Sequence, residues 1–446
     1  MPRVMLVRPH PTWRARVTPT ARRYSTEAAS GPPKYHSKVR AIPFAFSEED
    51  AIAHVGVTAS LALHGRSHKG EVNIPVGSLL TSVLAKYLPM SGFKALRPAR
   101  IQALYYPTWF VDAELQAKAW FSSSSDSEDS QTEIATAQVN DLYLPGFGMD
   151  FGRVLVRDRP GDIHLARRFS SELARQYGFE IICLPYNIAP FDLVQSARNL
   201  SYKQATINDD VRFEPRSLKI NLAAAYPVLL PAYVAQYVPP EPWPPVTVII
   251  AAHGKPGPHY VHVPSHSDAT DNNEDRPTLA IEDYIDEDYM EFGGAPEEAD
   301  IRAHLISPQT HQDASDELSS WLNDKLHERN APLSMATRQP VDMDDLKVRE
   351  WTEEEVEPVR KWLALGESIS QMKGMMKAIS AVNMDQVKII EFPPKMGAKA
   401  DTKTLAAGLE GFFKAEADKL QKLEETRTAE TPGWWRQWEE SQTPKR

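Results

Sequence analysis

Residues 100–121 read RIQALYYPTWFVDAELQAKAWF and predict one long β-strand. Aromatic and β-branched side chains are frequent in this segment, and Pro107 inside it disfavours a helix. Residues 122–131 are polar and acidic, and residues 132–144 (TEIATAQVNDLYL) again have the composition of a strand. The two segments therefore predict an antiparallel hairpin with an exposed tip.

Two helices are predicted before this hairpin. Ser47 has the position of an N-cap, because acidic residues follow it in the first turn, and the helix should continue to about Leu63. Residues 77–88 (GSLLTSVLAKYL) predict a second, short helix that ends before Pro89. The order of elements in this part of the chain is therefore helix, helix, strand, strand.

A similar order of elements recurs further along the chain. Residues 179–205 predict a short strand and a helix with Pro190 at its first position, and residues 218–238 predict a second long strand. Further strands are predicted within residues 239–254 and 259–264. In both long strands a proline is followed two residues later by an aromatic residue. The pattern predicts an α+β fold with antiparallel sheets from two helix-plus-hairpin halves; duplication and a chance similarity of apolar strands both explain it.

Three short motifs resemble a module of bacterial proteins of unknown function. They are IPFAFSEEDA (42–51), YYPTWFVDAEL (105–115) and VLLPAYVAQYV (228–238), followed by a strand and HGKPG. The bacterial proteins carry a zinc ribbon before a PF-helix, YxPxW-strand, LLPxY-strand module, and the similarity spans roughly residues 41–263. The resemblance implies a related fold and no catalytic residue. This chain departs from those proteins in one respect: it has no paired cysteines and hence no zinc ribbon.

Residues 1–24 have the composition of a mitochondrial transit peptide. They carry six arginines and no acidic residue, and prolines and arginines interrupt every apolar run that could serve as a secretory signal. Arg22, Arg23 and Tyr24 followed by Ser25 match a presequence cleavage pattern. Import into the mitochondrial matrix is therefore predicted; a disordered basic arm that binds nucleic acid or a surface is the alternative.

The remainder of the chain is acidic. The formal net charge is −10, and it becomes −16 if the six leader arginines are removed, so no DNA binding and no general attraction to anionic lipid are expected. RNA could bind only through a local arginine patch. No segment has 18 consecutive apolar residues, so no transmembrane span is predicted.

The composition changes after an α+β core that spans residues 40–263. Residues 264–300 hold thirteen acidic residues, one arginine and no lysine, which predicts an acidic flexible linker. Residues 301–446 predict a helical C-terminal region. One of its helices carries methionines at positions 372, 375 and 376, a stripe that suits either an internal groove or an irregular partner.

Three tryptophans, Trp434, Trp435 and Trp438, lie near the C-terminus. Exposure of their large apolar rings to water would be costly, so we expect them to dock. The docking surface is either this chain or another protein, which makes the three residues candidates for contact with a partner.

Asp112 and Glu114 form the candidate polar site. Strand alternation places both carboxyl groups on the face shared with Phe110, which is unusual in so apolar a strand. Two carboxylates at this spacing could share a proton or a cation. A partner arginine is the simpler explanation, and Arg153 and Arg157 are the candidates that complete the site.

No metal site, cofactor site or catalytic residue is predicted. The sequence lacks the GxSxG, P-loop and HExxH motifs, and it has no GxGxxG at a strand-to-helix turn. The single cysteine, Cys183, excludes an internal disulfide and a multi-cysteine metal site. His253, His259 and His262 lack a spacing that would bring them onto one metal ion.

Two functions are compatible with these features. The first is a non-catalytic mitochondrial matrix factor that docks on a larger assembly, related to a respiratory complex or the mitochondrial ribosome. The second is a small-molecule enzyme or binding protein that uses the acidic sheet face around Asp112 and Glu114. An enclosed pocket with unpaired acids favours the second function, whereas a filled, salt-bridged core favours the first.

Overall fold

The structure is a computed structural model of the chain. It describes residues 35–67, 81–82, 84, 94–121, 131–147, 163–178, 181–209, 211–238, 246–254, 259–262, 289–292, 303–308, 314–327, 341–380 and 402–442. The predicted leader lies outside the described residues, as do Arg153, Arg157 and most of the predicted linker.

The described part of the chain combines strands with helices, which confirms the predicted α+β class. The strands are β1 (Arg40–Ala41), β2 (Arg100–Phe121), β3 (Gln131–Pro145), β4 (Arg167–Arg168), β5 (Ile182–Cys183), β6 (Val211–Phe213), β7 (Lys219–Tyr237), β8 (Val246–Ala251), β9 (His259–His262), β10 (Tyr289–Phe292) and β11 (Ala303–Ser307). The helices are α1 (Glu48–Ser67), α2 (Asp192–Arg198), α3 (Ala314–His327), α4 (Glu353–Ser380), α5 (Thr402–Ala429) and α6 (Gly433–Gln442). Short 3₁₀ segments lie at Ile163–Leu165, Leu173–Gly178 and Pro215–Ser217.

All of these strands belong to one mixed sheet. Its main path runs β10-β9-β8-β7-β2-β3-β11, with the two longest strands, β2 and β7, side by side and antiparallel at its centre. The predicted hairpin of β2 and β3 is present, and β7 with β8 forms a second one. The short strands β1 and β5 add parallel pairings, to β7 and β2 respectively, which the alternation pattern did not predict.

The contacts of the two halves of the core, residues 40–147 and 181–254, match one another. The N–H of Ile42 donates to the carbonyl oxygen of Leu229 (3.1 Å), and the N–H of Leu184 donates to that of Tyr105 (3.2 Å). Each of these bonds continues a parallel pairing of a short strand with the long strand of the other half. The two sets of contacts are related by a local two-fold axis near the paired residues Tyr106 and Leu230.

The prolines of the two long strands occupy equivalent positions under this axis. The N–H of Gly146 donates to the carbonyl oxygen of Pro107, and the N–H of Ala252 donates to that of Pro231, both over 2.8 Å. A proline has no N–H to give to the ladder, but its carbonyl oxygen still accepts a bond. The repeated use of this carbonyl in the same position favours duplication over chance similarity.

The aromatic residue two positions after each proline anchors the other half. Trp109 Nε1 donates to the carbonyl oxygen of Ile188 (2.8 Å), and the Tyr233 hydroxyl donates to that of Phe46 (2.9 Å). Their rings also pack on the matching aromatic residues: Trp109 lies 4.8 Å from Tyr186 and Tyr233 lies 5.0 Å from Phe44, between ring centroids. The halves therefore interlock, since the segment before each helix is fixed by the long strand of the opposite half.

Helices cover both faces of the central strands. Odd-numbered residues of β2 and β7 face α1, α2 and α3, whereas even-numbered residues such as Phe110 and Tyr226 face α4 and α6. The helix α5 packs on α4. Both faces of β2 and β7 are therefore buried, which explains their almost uninterrupted apolar sequence.

The local helix signals agree with the structure at α1. The Ser47 hydroxyl contacts the Asp50 carboxylate (2.6 Å), while the backbone N–H of Asp50 donates to the Ser47 hydroxyl (3.3 Å). Pro190 does not occupy the first position of α2, because that helix begins at Asp192 with Phe191 as its N-cap. Of the predicted helix at residues 77–88, the structure describes residues 81, 82 and 84, which are helical.

Two strands depart from the predicted domain boundaries. β10 lies inside the segment 264–300 that was predicted as a flexible linker, and it pairs with β9. β11 opens the region 301–446 that was predicted as helical, and it pairs with β3. Both are short segments of five residues or fewer, whose pattern is too brief to distinguish from polar coil. The C-terminal region therefore contributes a strand to the core sheet.

Candidate functional site

The two predicted acidic residues lie together on β2, and both are buried. Asp112 is 1% exposed and Glu114 is 2% exposed, on the sheet face that α4 covers. An ionised carboxylate is costly to bury unless a cation or several hydrogen-bond donors compensate it. The partners of each carboxyl group therefore determine what the pair can do.

Glu114 is compensated by three donors. Arg427 of α5 forms an ion pair with it, with 2.5 Å between Nη2 and Oε2. Gln138 donates to the same oxygen over 2.9 Å, and Asn221 donates to the other oxygen over 3.0 Å. Gln138 also donates to the carbonyl oxygen of Leu363 in α4 (2.8 Å), so the network ties the sheet to the helices.

Arg427 is itself held from both sides. Its guanidinium group lies 3.6 Å from the centroid of the Trp362 ring, and its Nε donates to the Trp362 carbonyl oxygen over 3.3 Å. Stacking on an indole ring stabilises a cation most strongly where water is excluded. The arginine is therefore fixed in one orientation, toward Glu114.

The helix α4 can pass over this ion pair only because residue 366 is a glycine. A Cβ atom at this position would lie 2.7 Å from Glu114 Oε2 and closer still to the Arg427 guanidinium group. Such a distance is shorter than any normal contact between these atoms. Gly366 therefore sets how closely α4 approaches the sheet at the buried pair.

Asp112 is held differently, at an irregularity in the β2–β3 pairing. The register shifts between Val111 and Ala113, and Asp141 opposite them has a positive φ of 52°. This conformation turns the backbone N–H of Asp141 toward Asp112, to which it donates over 2.7 Å. The Tyr226 hydroxyl lies beside the other carboxyl oxygen without hydrogen-bond geometry, so that oxygen has no partner among the described residues.

These surroundings change the acidity of Asp112. Burial, and secondarily the negative charge of Asp141, raise the pKa of Asp112 from 3.8 to about 6. The Asp141 N–H and the charge of Arg360 act in the opposite direction but are weaker. Arg360 of α4 pairs with Asp141, not with Asp112, over 2.5 Å. Asp112 is therefore a buried carboxyl group that can hold a proton near neutral pH.

A partner arginine was the simpler of the two explanations for the acidic residues of β2. Glu114 has such a partner, Arg427, which lies in α5. Arg427 follows Glu114 by 313 residues, and no local pattern in the sequence connects them. Arg153 and Arg157 lie outside the described residues. Of the neighbouring arginines that are described, Arg167 and Arg168 form β4 and are exposed.

The three C-terminal tryptophans pack on their own chain. Trp435 is 1% exposed within the cluster that contains Phe110 and Tyr226, and Trp438 stacks on it with 4.4 Å between ring centroids. Trp434 is half-buried, and the Arg349 guanidinium group lies 5.4 Å from its ring. Of the two surfaces considered for docking, the structure uses the chain's own sheet.

The histidines do not form a metal centre in the described residues. His253 is 8% exposed, and the backbones of His259 and His262 belong to β9. Among the described side chains, no group of three histidine, cysteine or carboxylate residues is close enough to hold a metal ion. The described helices are also too short or too polar to cross a lipid bilayer.

A separate apolar cavity of about 140 Å³ lies on the opposite face of the sheet, between α2 and α3. Apart from Gln116, its walls are hydrocarbon or aromatic side chains. Protein interiors seldom contain voids larger than a water molecule, so an apolar space of this volume is unusual. The lining residues are Leu115, Gln116, Ala117, Ala119, Phe121, Ala135, Ala137, Val139, Leu193, Val194, Ala197, Ile207, Val211, Phe213, Leu218, Ala303, Leu305, Ala314, Leu318, Trp321 and Leu322.

The α4–α5 pair exposes apolar side chains. The buried residues of α4 all lie between Val356 and Ile369, and beyond them Met375 is 41% exposed. Phe412 of α5 is 38% exposed. The predicted methionine stripe is therefore only partly buried within the chain.

Comparison with known proteins found no matching family model, no matching curated protein and no matching solved structure. The resemblance to bacterial proteins of unknown function therefore stays a prediction.

Proposed function

We propose that this chain is a non-catalytic mitochondrial matrix factor that docks on a larger assembly, related to a respiratory complex or the mitochondrial ribosome. The observation that carries the proposal is the closed ion pair of Glu114 and Arg427. Gln138, Asn221, Trp362 and the backbone of α4 surround the pair and leave no room for a substrate, and both acidic residues are at most 2% exposed. The most unusual polar residues of the core thus serve to attach helices to the sheet.

The same geometry gives little support to the alternative, a small-molecule enzyme or binding protein on the acidic face. A general acid or base must reach the proton that it transfers, directly or through one water molecule. Asp112 has a suitable pKa of about 6, but it is 1% exposed beneath α4. Burial and the charge of Asp141 account for the raised pKa, which therefore does not indicate a catalytic role.

The docking surface in this proposal is the exposed part of the α4–α5 pair. Met375 and Phe412 are large apolar residues on helices whose other exposed positions are mostly charged or polar. Methionine and phenylalanine are frequent in the centres of protein–protein interfaces. The tryptophans of α6 pack on the sheet and on the first half of α4, so they do not form this exposed surface.

Affinity purification from isolated mitochondria tests the docking surface. The single variants Met375→Glu and Phe412→Glu should lose the specific partners of the wild type, since a charge is introduced into an apolar contact. Tyr202→Glu and Leu165→Glu are matched controls, because these residues are 61% and 45% exposed elsewhere on the molecule. The proposal fails if the wild type captures no specific partner, or if the α4 and α5 variants capture the same set as the controls.

The location in the matrix rests on the six arginines of residues 1–24. A fluorescent protein fused to the C-terminus should enter mitochondria, and the purified chain should begin at Ser25. Replacement of the six arginines by glutamine should leave the fusion in the cytosol, because the inner membrane potential no longer attracts the leader. Cytosolic or nuclear fluorescence of the unaltered fusion, with Met1 retained, would exclude matrix import.

A further inference from the structure

We infer that the cavity between α2 and α3 binds the hydrocarbon chain of a free fatty acid, whose carboxylate stays at the edge of the cavity beside Arg198. The assignment concerns a ligand of this chain, and it does not rest on the proposed docking function. It follows from the composition of the cavity walls, from the cavity volume and from the charges at its edge.

Small residues on neighbouring strands create the space. Ala117 of β2 and Ala135 of β3 are directly paired, and Ala137 follows on the same face. Alanine is unfavourable in strands, where larger β-branched and aromatic residues usually fill the pleated surface. Three neighbouring alanines therefore leave space between the sheet and the helices that cover it, and this space is the cavity.

The walls of this cavity select an apolar ligand. With the exception of Gln116, the lining side chains are hydrocarbon or aromatic, and water would find too few partners there. An engineered protein cavity of about 150 Å³ admits a six-carbon ring. The present volume of about 140 Å³ accommodates a similar number of carbon atoms, in this case as the end of an acyl chain.

The cavity reaches the surface beside α2. Leu193, Val194 and Ala197 line it and are only half-buried, and Leu218 completes this edge. A chain can therefore enter from this side with its terminal methyl group first. Its polar end would then remain outside, next to the C-terminal end of α2.

Arg198 lies at this edge and is available for an anion. Its Nε donates to the carbonyl oxygen of Leu218 (2.9 Å), and among the described residues its guanidinium group forms no ion pair. Lys219, the residue after Leu218, is exposed and also lacks an ion-pair partner among the described residues. A guanidinium group binds a carboxylate through two parallel hydrogen bonds, which suits a fatty acid better than a neutral lipid.

Binding of octanoate to the full chain tests this assignment by titration calorimetry and by NMR with ¹³C-labelled octanoate. We expect a single site with a dissociation constant below about 1 mM, since each buried methylene group adds to affinity. Ala117→Leu and Ala197→Leu fill the cavity from the sheet and from α2, and each should weaken binding at least tenfold. Ala415→Leu, at an exposed position of α5, is the matched control and should bind as the wild type does.

The role of Arg198 is tested separately with a neutral ligand of the same length. Arg198→Gln should weaken octanoate binding about tenfold and leave the binding of 1-octanol unchanged. An equal effect on both ligands, or on neither, would remove Arg198 from the assignment.

Several results would overturn the fatty-acid site. These are no octanoate binding by the wild type, unchanged binding by both cavity-filling variants, or stronger binding of phosphatidylcholine vesicles than of octanoate. If both filling variants fail to fold, competition in the wild type decides: octanoate and 1-octanol should displace one another, and independent binding would refute a shared cavity.

Discussion

Glu114 and Arg427 form a buried ion pair, which is compatible with a stable fold only when both residues are present. The carboxylate is 2% exposed and the guanidinium side chain 19% exposed, so water can replace little of the lost interaction if one partner is removed. A buried pair is weak evidence for added stability relative to apolar residues, but removal of one member is costly. Correct packing of α5 on the sheet therefore requires both Glu114 and Arg427.

Glu114→Gln should lower the free energy of unfolding by about 3–5 kcal/mol, because it leaves the Arg427 charge without a counter-ion. Urea denaturation of the variant and the wild type measures the change. Glu430→Gln is the matched control: it breaks the exposed pair with Lys361 (2.7 Å) and should cost less than about 1 kcal/mol. Equal effects of the two variants would contradict the importance of the buried pair.

Asp112 should make stability depend on pH. Its folded-state pKa of about 6 exceeds the ordinary value of 3.8, so the folded chain binds a proton more tightly than the unfolded chain. Stability contributed by this proton is present at low pH and is lost as the pH rises from about 4 through 6.

Asp112→Asn cannot ionise, so it should gain stability relative to the wild type between pH 4 and pH 7.5, by about 1–3 kcal/mol. Chemical denaturation of both proteins at the two pH values measures this difference. Asp418→Asn, at an exposed carboxyl group of α5, is the control for loss of an acid. A difference between variant and wild type that is constant over this pH range would show that Asp112 is ionised throughout.

Strand alternation was sufficient to place Asp112 and Glu114 on one buried face, because the direction of a side chain in a strand is a local property. The identity of their partners was not predictable in this way. Asp112 depends on the left-handed conformation of Asp141, and Glu114 depends on a helix 313 residues further along the chain. Neither relation leaves a periodic signal in the sequence.

Among the helices, α4 has the closest contact with the polar centre of the sheet. It crosses the buried ion pair at Gly366, where any side chain would collide with Arg427 and Glu114. In an exposed helix, replacement of glycine by alanine is favourable by up to about 1 kcal/mol. At position 366 alanine is instead the less favourable residue, because its Cβ would collide with Arg427 and Glu114.

Gly366→Ala should destabilise the protein by about 1–3 kcal/mol, since the added methyl group forces α4 away from the pair. Gly411→Ala is the matched control: this glycine lies in α5 with no atom within 4 Å of an added Cβ, and the change should stabilise the protein slightly. Thermal unfolding of the two variants should therefore shift in opposite directions. Stabilisation by both substitutions would disprove the close contact.

Elements with strong local signals were predicted well, and those defined by tertiary pairing were not. The hairpin of β2 and β3 and the capped helix α1 followed from patterns within each segment. The strands β10 and β11 were missed, because four or five residues gain strand structure only from the neighbour with which they pair. The short strand β5 was predicted, but its parallel pairing and that of β1 were not, because their partners belong to the opposite half of the core.

The core and the C-terminal region do not divide as separate folding units. β11 extends the core sheet, while α4 and α6 bury the even-numbered face of its central strands. A chain that ends at residue 340 would expose Phe110 and Tyr226 and would leave Glu114 unpaired. The molecule is therefore expected to unfold as one cooperative unit.

Residues 25–446, the proposed mature chain, should show one unfolding transition in urea by both far-ultraviolet circular dichroism and tryptophan fluorescence. Residues 25–340 should give no cooperative transition and should bind a hydrophobic dye, because the even-numbered face of the sheet becomes exposed. Amide hydrogen exchange would distinguish the alternative: separate protection levels for residues 40–263 and for α4–α6 in the longer chain would indicate independent domains.

The ion pair between β2 and α5 also has a temporal consequence. Protein synthesis proceeds from the N-terminus, so the partner of Glu114 is added only after nearly all of the chain has been made. Until then the even-numbered face of the central strands lacks the helices that cover it, and the native arrangement cannot form.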